Sequence, residues 1–483
     1  MSYKQETNNF YPYIVISLSA FVVMSFSGII GLFGDDYSWM LQAKNYDGNL
    51  FDHLFSAAPY GYFRPVVKLF FLIWHGIFSD NALPYRVFIL ILHIGCSLMV
   101  YNVFLKADYS RNVSWVGAVI FAVITCHSEA LYSINSISEI FSAFFILSGI
   151  YFLLSDKKYF AILFFTLALF SRESALCFLP IALVFLYRKK VKVISLDNAV
   201  ILLAPLLFYF SAYLISHNSF EFVRYGPQDI FTLNPLSMGY KGIHYFVNMI
   251  LPTKTILFVL MMLESIFPNL FGWTNADGGI KELLVNAVKD PSSNLLIIAS
   301  IAVIGILFFW VGLLLIRKSL KVKELLFPIV LSFAALIIYI PMIPTAERFL
   351  YLPSIGICLL LALIWNSLEK KKTDYGIIFL IVVISIYLIS MGERAFYWER
   401  STHSTIHTIE QLHKAIKDEK NDNILILDYD RKNYVNDYTL PDMYEYYYEK
   451  RKTFRFDELK LGEDREDFVK IKYNFLTFFK ESP

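Results

Sequence analysis

The stretch PYRVFILILHIGCSLMVYNVFL, residues 84–105, decides the class of this chain, because within it only Arg86 carries a full charge. A helix needs about 20 predominantly apolar residues to cross the hydrocarbon core of a bilayer. Comparable runs recur along the chain, at residues 11–33, 194–216, 294–316, 349–365 and 376–391. The region 84–186 as a whole has the pattern of five such segments separated by short polar breaks.

The composition supports the same interpretation. Of the 483 residues, 57% are hydrophobic and 17% are charged, with a mean hydropathy of +0.52. A soluble domain has about 25% charged residues. The net charge of +2 gives no indication of a nucleic-acid partner. We therefore predict an all-α polytopic membrane protein with about eleven transmembrane helices.

The distribution of lysine and arginine predicts how the chain is oriented, because these residues favour the cytoplasmic ends of spans. Basic breaks occur at 106–111, 157–158, 188–192, 317–323 and 370–372. The breaks between them, at 35–83, 127–135, 171–174, 217–293 and 344–348, are poor in lysine and arginine. This alternation places the N-terminus in the cytoplasm and the C-terminus outside the plasma (inner) membrane. We interpret the first apolar run as a retained span, since no small-residue cleavage site ends it.

One apolar segment, His244–Leu263, does not fit this alternation as a span. If it crossed the membrane alone, the basic break at 317–323 would lie outside and every later loop would invert. Pro252 also interrupts the segment. We therefore predict a re-entrant or surface-lying helix, which is tolerated where other helices cover its backbone.

The chain divides into two predicted domains. Residues 1–391 form a transmembrane module, whose first outer loop spans 34–83. Residues 392–483 form a polar, extracytoplasmic tail, long enough for a small α+β domain. Within this tail, 423–429 (NILILDY) is typical of a buried strand, and 403–417 and 444–450 are candidate helices.

The first outer loop begins with two adjacent carboxylates, Asp35 and Asp36, directly after the first span. Such a pair can do acid–base work or hold a divalent cation. A solvated helix end explains it about equally well. Further along the loop, Pro65 is placed to begin an amphipathic helix that lies on the membrane surface.

The other outer breaks are short and carry charges that are costly near a membrane. They contribute Glu129 followed by Glu139, Arg172 with Glu173, and Glu347 with Arg348. Each of these charges taken singly is explained by an ordinary ion pair at a helix end. Jointly, acids and arginines on one face suggest a site for an anionic headgroup, because the planar guanidinium binds phosphate through two nitrogens. His93, within a span, is typical of a residue that hydrogen-bonds between helices.

These landmarks, in this order, resemble the motifs of the GT-C class of membrane glycosyltransferases. The likeness is greatest to the protein O-mannosyltransferase and TMTC-like branch, including its bacterial relatives, and it runs through most of residues 1–400. The matching elements are Gly34-Asp35-Asp36-Tyr37, Phe63-Arg64-Pro65-Val66, the run 85–93, His127-Ser128-Glu129-Ala130, Arg172-Glu173-Ser174-Ala175, Glu347-Arg348-Phe349-Leu350-Tyr351-Leu352-Pro353-Ser354, and Arg394 with Trp398. The element beginning at Glu347 is the most specific of them.

The resemblance implies transfer of a sugar from a polyprenyl-phosphate donor to an acceptor hydroxyl at the outer face, with inversion. Asp35 is then the general base, and Asp36 an orienting group or metal ligand. The phosphate ligands are Arg64, Arg172 and Arg348. Glu129, Glu173, Glu139 and Tyr351 are supporting residues. Some branches use Mg²⁺ or Mn²⁺ and others do not, so metal dependence stays open.

The chain departs from the pattern in two places. Ile137 stands where relatives often carry an arginine two residues before the acid, which removes one phosphate candidate. The tail has no tetratricopeptide repeats, so the acceptor of repeat-bearing relatives does not carry over, and a glycan, lipid or protein acceptor stays open.

The sequence is also compared with two alternative functions. A transporter or flippase of lipid-linked glycans is expected to have inverted repeats and polar groups at the midplane. A non-catalytic scaffold would leave the acid pair and the arginines unexplained.

Overall fold

The structure is a computed structural model and describes most of the chain. The described residues are 10–56, 62–191, 195–217, 234–252, 322–342, 346–417, 423–427, 439–449, 453–456, 469–474 and 477–480. The predicted span at 294–316 and the second part of the predicted re-entrant segment, 253–263, lie outside these residues. So does most of the basic break at 317–323.

Helices account for nearly all of the described membrane module. We number them α1 Tyr11–Ser25, α2 Asp36–Lys44, α3 Leu50–Phe55, α4 Pro65–Phe78, α5 Ala82–Lys106, α6 Arg111–Val123, α7 Ser128–Tyr132, α8 Ile137–Leu154, α9 Lys158–Ser171, α10 Phe178–Arg188, α11 Leu196–His217, α12 Pro235–Ile250, α13 Val322–Leu336, α14 Ser354–Lys371, α15 Thr373–Ile416 and α16 Thr439–Tyr448. Short 3₁₀ turns at 26–29, 125–127, 134–136, 173–177 and 347–350 join several of them.

Five helical segments in the described residues are long and apolar enough to cross a membrane. They are Tyr11–Gly28, Ala82–Lys106, Ile134–Leu154, Leu196–Ser216 and Thr373–Ile416. Shorter apolar helices occur at Pro65–Phe78, Lys158–Ser171 and Glu324–Leu336. The protein is therefore a multi-pass membrane protein. The total of about eleven spans stays a prediction, since it includes parts of the chain outside the described residues.

The span that begins with α6 is bent at its end. Ile124 leaves the helical region of backbone conformation, with φ −64° and ψ 131°, so the helix stops there. The chain then continues through a 3₁₀ turn into α7, at an angle of 51° to α6. The segment 127–139 is consequently neither a plain loop nor part of a straight helix. It consists of the short helix α7, a 3₁₀ turn at 134–136 and the first residues of α8.

The first outer loop contains three helices, and α4 begins at Pro65 as predicted. Lys68 of α4 is buried, and its ammonium donates to the backbone oxygens of His53 and Ser56 at the end of α3. A cation is favourable there, because the last carbonyls of a helix have no partner within the helix. This contact joins α3 to α4 and gives the loop a defined shape.

The last span continues far beyond the membrane. At 1.5 Å per residue, the 44 residues of α15 extend about 66 Å, against about 30 Å for the hydrocarbon core. The helix predicted at 403–417 is therefore not a separate element, because α15 runs without a break to Ile416. The predicted domain boundary at 391/392 falls inside this same helix.

The tail has a four-stranded sheet in the order β2-β1-β3-β4, with β1 Asn423–Leu427, β2 Thr453–Phe456, β3 Val469–Asn474 and β4 Thr477–Lys480. β1 pairs in parallel with both β2 and β3, and β3 pairs antiparallel with β4. The strand predicted at 423–429 is present over 423–427. The helix predicted at 444–450 lies earlier, at Thr439–Tyr448, in the position of α16. That the tail is a separate domain on the outer face stays a prediction.

Helix α16 packs against the first outer loop. The hydroxyls of Tyr37 and Tyr447 are 2.6 Å apart, and Lys44 lies 3.2 Å from the carboxylate of Glu449. His75 of α4 lies 3.3 Å from the hydroxyl of Tyr446. The tail therefore contacts the helix whose first residue is Asp36.

Glycine allows α13 and α14 to pack closely. A Cβ added at Gly356 would lie 2.1 Å from the backbone oxygen of Pro328 and 2.8 Å from the backbone nitrogen of Ser332. Replacing Gly356 with alanine must therefore separate the two helices.

We expect Gly356→Ala to destabilise the protein by about 1–3 kcal/mol, measured as a lower thermal midpoint in detergent. Gly76→Ala in α4, where a Cβ meets nothing within 4 Å, is the matched control. Equal midpoints for the two variants would contradict this packing.

Candidate functional site

The site is built around the segment 127–139, which we call the central turn. Its side chains and backbone groups contact several distant parts of the chain, including the first loop, α5, the turn after α9, Tyr339 and the segment 346–350.

Asp36 is fully buried, and both of its carboxylate oxygens accept backbone hydrogen bonds. The N–H of Phe33 donates to Oδ2 at 3.2 Å, and the N–H of Asn135 donates to Oδ1 at 2.7 Å. Burial raises the pKa of Asp36 from 3.8 to about 7, although the two hydrogen bonds and nearby Arg86 oppose this shift. Asp36 therefore joins the first loop to the central turn, and its oxygens face the backbone rather than solvent.

Asp35 is more exposed to solvent than Asp36. It is partly exposed and stands directly before α2, in the N-cap position. Gly34, which precedes it, has a φ of 52°, a conformation that glycine adopts without strain. This turn presents the two carboxylates in different directions, so that Asp36 is enclosed while Asp35 remains reachable from solvent.

The three predicted phosphate ligands are each paired with one of the predicted supporting glutamates. Arg64 donates through Nη2 and Nε to Oε2 of Glu173, at 2.7 and 3.0 Å, while its guanidinium stacks on the ring of Tyr62 at 3.6 Å. Glu173 also accepts the N–H of Phe63 at 3.2 Å. Arg64 is buried and Glu173 is about one-third exposed, so this pair extends from the interior towards solvent.

Arg172 forms the most enclosed pair. Its Nη2 lies 2.9 Å from Oε1 of Glu139, and both side chains are at least nine-tenths buried. Nε donates to Ser174 and Nη1 donates to Ser138, each at 3.0 Å. The hydroxyl of Tyr339 donates to Oε2 of Glu139 at 3.2 Å. Since every guanidinium nitrogen of Arg172 has a protein partner, this arginine is placed to support the site rather than to bind a ligand.

Arg348 is the most accessible of the three arginines. Its side chain is 28% exposed, and its Nη1 donates to Oε1 of Glu129 at 2.9 Å. The N–H of Arg348 also donates to the other oxygen of Glu129, at 3.1 Å. A fourth pair lies beside it, where Arg394 of α15 donates to Glu347 at 2.7 Å and Ser128 donates to the second oxygen of Glu347.

The ion pairs connect different elements of the fold. Arg172 and Glu173 are neighbours in sequence, yet they pair with Glu139 and Arg64 respectively. Glu347 and Arg348 likewise pair with Arg394 and Glu129. The charges therefore do form ion pairs at helix ends and turns, as the simpler of the two interpretations predicts. Each pair joins two helices or turns that are distant along the chain.

The arginine cluster, defined as Arg64, Arg172 and Arg348 with Glu129, Glu139 and Glu173, carries equal numbers of both charges. Glu139 lies within electrostatic reach of all three arginines, so the pairs are close to one another. The predicted grouping of acids with arginines is therefore present as a set of ion pairs. An anionic ligand must compete with, or displace, the glutamate partners.

The central turn also links this cluster to the acid pair. Asn135, whose N–H binds Asp36, is three residues before Ser138, which accepts from Arg172. Glu139 follows Ser138 in the first turn of α8. The sequence places these groups in three separate motifs, and the fold attaches them to one short piece of backbone.

Two predicted residues lie in a neighbouring buried network. The hydroxyl of Tyr351 lies 2.7 Å from Nδ1 of His93, and the ring of His127 packs against that of Tyr351 at an interplanar angle of 38°, with centroids 4.3 Å apart. His93 also contacts the backbone oxygen of Ala122 in α6, at 3.0 Å. The prediction that His93 hydrogen-bonds between helices is confirmed. Tyr351 supports the packing of this network, and its hydroxyl does not contact the arginine cluster.

The acid pair does not present a good divalent cation site. Mg²⁺ and Mn²⁺ require several oxygen ligands, and both oxygens of Asp36 already accept backbone hydrogen bonds. Within the described ranges, no group of three or more histidine, cysteine, aspartate or glutamate side chains is arranged to hold a metal. Metal binding by Asp35 and Asp36 stays a prediction, and the two backbone donors to Asp36 would share its oxygens with the ion.

Sequence reasoning missed two functional contributors. Arg86 of α5 is buried and donates to backbone oxygens beside the acid pair, and Tyr339 bridges Glu139 and Ser174. The signal for Arg86 was available, since an arginine inside an apolar segment is costly and needs a partner. Tyr339 carries no comparable signal, because tyrosine is common in this chain.

Comparison with known proteins begins with sequence. No protein-family model matches the chain. It is similar to a protein O-mannosyl-transferase of Caenorhabditis elegans, with 24% identity over 403 residues. The match covers 79% of this chain and 54% of the relative, so the chain spans about half the length of that protein.

The structure is similar to the oligosaccharyltransferase of Archaeoglobus fulgidus solved with a tethered acceptor peptide. The TM-score is 0.50 at 11% identity, over 90% of this chain and 63% of that chain. ArnT of Cupriavidus metallidurans, solved with undecaprenyl phosphate, gives a TM-score of 0.47 at 8% identity, over 93% and 86% of the two chains. The chain therefore has the GT-C fold of membrane glycosyltransferases that its motifs predict.

Proposed function

We propose that this protein is a membrane glycosyltransferase that moves a sugar from a polyprenyl-phosphate donor to an acceptor hydroxyl at the extracytoplasmic face, with inversion. The observation that supports this most strongly is the attachment of the acid pair and the arginine cluster to the same piece of backbone, residues 135–139. Such transfer needs a base for the acceptor and cations for the leaving phosphate, close together.

Asp35 is the general base in this proposal. A base must reach the proton that it takes, so access is considered before pKa. Asp36 has a pKa near neutrality, which suits a base, but it is buried with both oxygens occupied. Asp35 is partly exposed at the start of α2. Asp36 is therefore the orienting group, which fixes the turn that carries Asp35.

The reaction is a single displacement. Asp35 takes the hydroxyl proton of the acceptor while the acceptor oxygen forms a bond to the anomeric carbon of the sugar. The bond between that carbon and the phosphate oxygen breaks on the opposite side, and the polyprenyl phosphate leaves with the negative charge. Attack from the face opposite the leaving group inverts the configuration at the anomeric carbon.

Arg348 is the principal phosphate ligand in this proposal, with Arg64 as the second. Arg348 is the most exposed arginine of the cluster and uses one guanidinium nitrogen on Glu129, which leaves an edge of the guanidinium for phosphate oxygens. Arg64 is paired with the more exposed glutamate, Glu173. Arg172, bonded at every nitrogen, positions the other groups.

A transporter of lipid-linked glycans is the alternative. The acid pair and the arginine cluster lie at helix ends and turns, and Glu139 is in the first turn of α8. This arrangement favours an enzyme over a transporter, whose binding groups are expected near the midplane.

The base assignment predicts that Asp35→Asn lowers kcat by about 10²- to 10⁴-fold, because asparagine preserves size but cannot take a proton. Donor KM should change little. The assay incubates purified protein with radiolabelled polyprenyl-phosphate sugars and an envelope extract as acceptor. Asp80→Asn, an exposed carboxylate in the same loop, is the control. A wild-type kcat in Asp35→Asn would show that another group acts as base.

We expect substitutions of Arg348 and Arg172 to have different effects. Arg348→Gln should raise donor KM by about 10- to 100-fold, the magnitude of a lost charge-assisted hydrogen bond. Arg172→Gln should instead lower stability by about 3–5 kcal/mol, because it leaves Glu139 buried without its cation. KM is measured with varied donor, and stability by thermal unfolding in detergent. Lys158→Gln, which breaks an exposed pair with Asp197, is the control. The assignment is wrong if Arg348→Gln binds donor normally.

The raised pKa of Asp36 predicts a pH-dependent contribution to stability. Below pH 3.8, Asp36 is protonated in both the folded and unfolded chains. Between about pH 4 and 7, the folded state retains a proton that the unfolded state has released, so this group favours unfolding increasingly as pH rises. The thermal midpoint of wild type relative to Asp36→Asn should therefore fall from pH 4 to pH 7 and then level off. A difference that stays constant across this range would contradict a buried, protonatable Asp36.

A further inference from the structure

Arg86 is a buried cation that the proposed reaction does not use. It lies near the start of α5 and is 3% exposed. Its three guanidinium nitrogens donate to three backbone oxygens: Nε to Ile30 at 2.7 Å, Nη2 to Gly31 at 2.9 Å, and Nη1 to Tyr132 at 3.0 Å. No carboxylate within the described residues lies close enough to Arg86 to form an ion pair with it, so its contacts are with backbone oxygens.

Asp36 makes the complementary set of contacts with the same two pieces of chain. Arg86 binds the carbonyl groups of 30–31 and 132, and Asp36 binds the amide groups of Phe33 and Asn135. The segment 30–33 leads into Asp35, and 132–135 belongs to the central turn. Arg86 and Asp36 therefore join the same two segments. The cation binds their carbonyl groups, and the anion binds their amide groups.

We propose that Arg86 is a positioning residue that, together with Asp36, holds the turn bearing Asp35 against the central turn. We call this arrangement of Arg86, Asp36 and the segments 30–33 and 132–135 the backbone clasp. The proposal rests on the function proposed above, in which Asp35 is the base. Arg86 contacts neither acceptor nor donor, and it acts by setting where the Asp35 carboxylate stands relative to the arginine cluster.

Lysine cannot replace arginine in the clasp. The three carbonyls belong to two segments and are reached by three separate nitrogens of a planar group, whereas an ammonium is a single point from which the donors diverge. Arg86→Lys therefore keeps the charge near Asp36 and removes the geometry. This variant separates positioning from electrostatics.

Helix α15 also contacts the segment that leads into Asp35. Phe33 stacks on Trp398 of α15 with centroids 5.0 Å apart, and a Cβ at Gly31 would lie 2.7 Å from Thr402 of the same helix. These contacts are apolar, whereas Arg86 and Asp36 bind the backbone carbonyl and amide groups of the segment. In this proposal the clasp therefore sets the direction of the turn.

The first test follows the turn without using the enzymatic reaction. The four native cysteines are buried, so a cysteine introduced as Asp35→Cys can be followed with a maleimide. Adding Arg86→Lys should raise its labelling rate by about tenfold, because the turn loosens. A reporter at Asp80→Cys, also in the first loop, should label at the same rate in both backgrounds. Unchanged labelling at position 35 overturns the proposal.

The second test asks whether the position of Asp35 matters to catalysis. Arg86→Lys should lower kcat by about 10- to 100-fold while donor KM changes less than twofold, since the phosphate ligands stay in place. Arg400→Lys, an exposed arginine of α15, is the matched control and should leave both constants unchanged. If labelling rises but kcat does not fall, Arg86 does not position the base and the proposal is wrong.

A further variant covers the case in which Arg86→Lys does not fold, as judged by its size-exclusion profile. Asp36→Asn loosens the clasp from the other side and should raise labelling at position 35 in the same way. Where both variants fold, the labelling rate at position 35 in the double variant should not exceed that in the faster single variant. Both changes disrupt the same set of contacts. If the increase in labelling rate in the double variant equals the product of the two single increases, the two changes act independently. That result would contradict the clasp. If wild type transfers no sugar at all, the proposed function fails, and the labelling result still decides whether Arg86 holds the turn.

Discussion

The structure depends on one constraint, namely that backbone and charged groups near a membrane must find partners within the protein. The bend at Ile124 creates this need by releasing the central turn from regular helix. Its amides, carbonyls and carboxylates are then satisfied by residues from the first loop, α5, the turn after α9 and the segment 346–350. The same residues that satisfy the bend form the candidate site, so folding and function use one set of contacts.

Charge balance within the arginine cluster has a second consequence for the site. Three arginines and three glutamates leave the cluster without excess charge, which lets it persist in an enclosed position when no ligand is bound. The members of the cluster differ in solvent exposure, however, and Arg348 and Glu173 are the most exposed. In the proposed function, a phosphate meets the cluster at these exposed members, while the enclosed pair of Arg172 and Glu139 supports them.

Much of this arrangement was predictable from the sequence. Hydropathy gave the membrane class, and the order of short motifs gave the GT-C fold, since both depend on local composition. The partner of each charge was not predictable, because Arg172 lies beside Glu173 in sequence but pairs with Glu139 in space. The different fates of Asp35 and Asp36 also required the structure. A positive φ at Gly34 and two backbone donors decide which carboxylate is enclosed, and neither is visible in a pair of identical letters.

The long helix α15 also determines when the site can be complete. It supplies Arg394 to Glu347 and Trp398 to Phe33, and both residues follow the last apolar run of the chain. During synthesis from the N-terminus, the first loop and the segment 346–350 are made before these partners exist. The N-terminal spans can insert and pack earlier, and so can the contacts of Asp36 and Arg86. The contacts to Glu347 and Phe33 form only after α15 has been made, so completion of the site depends on that helix.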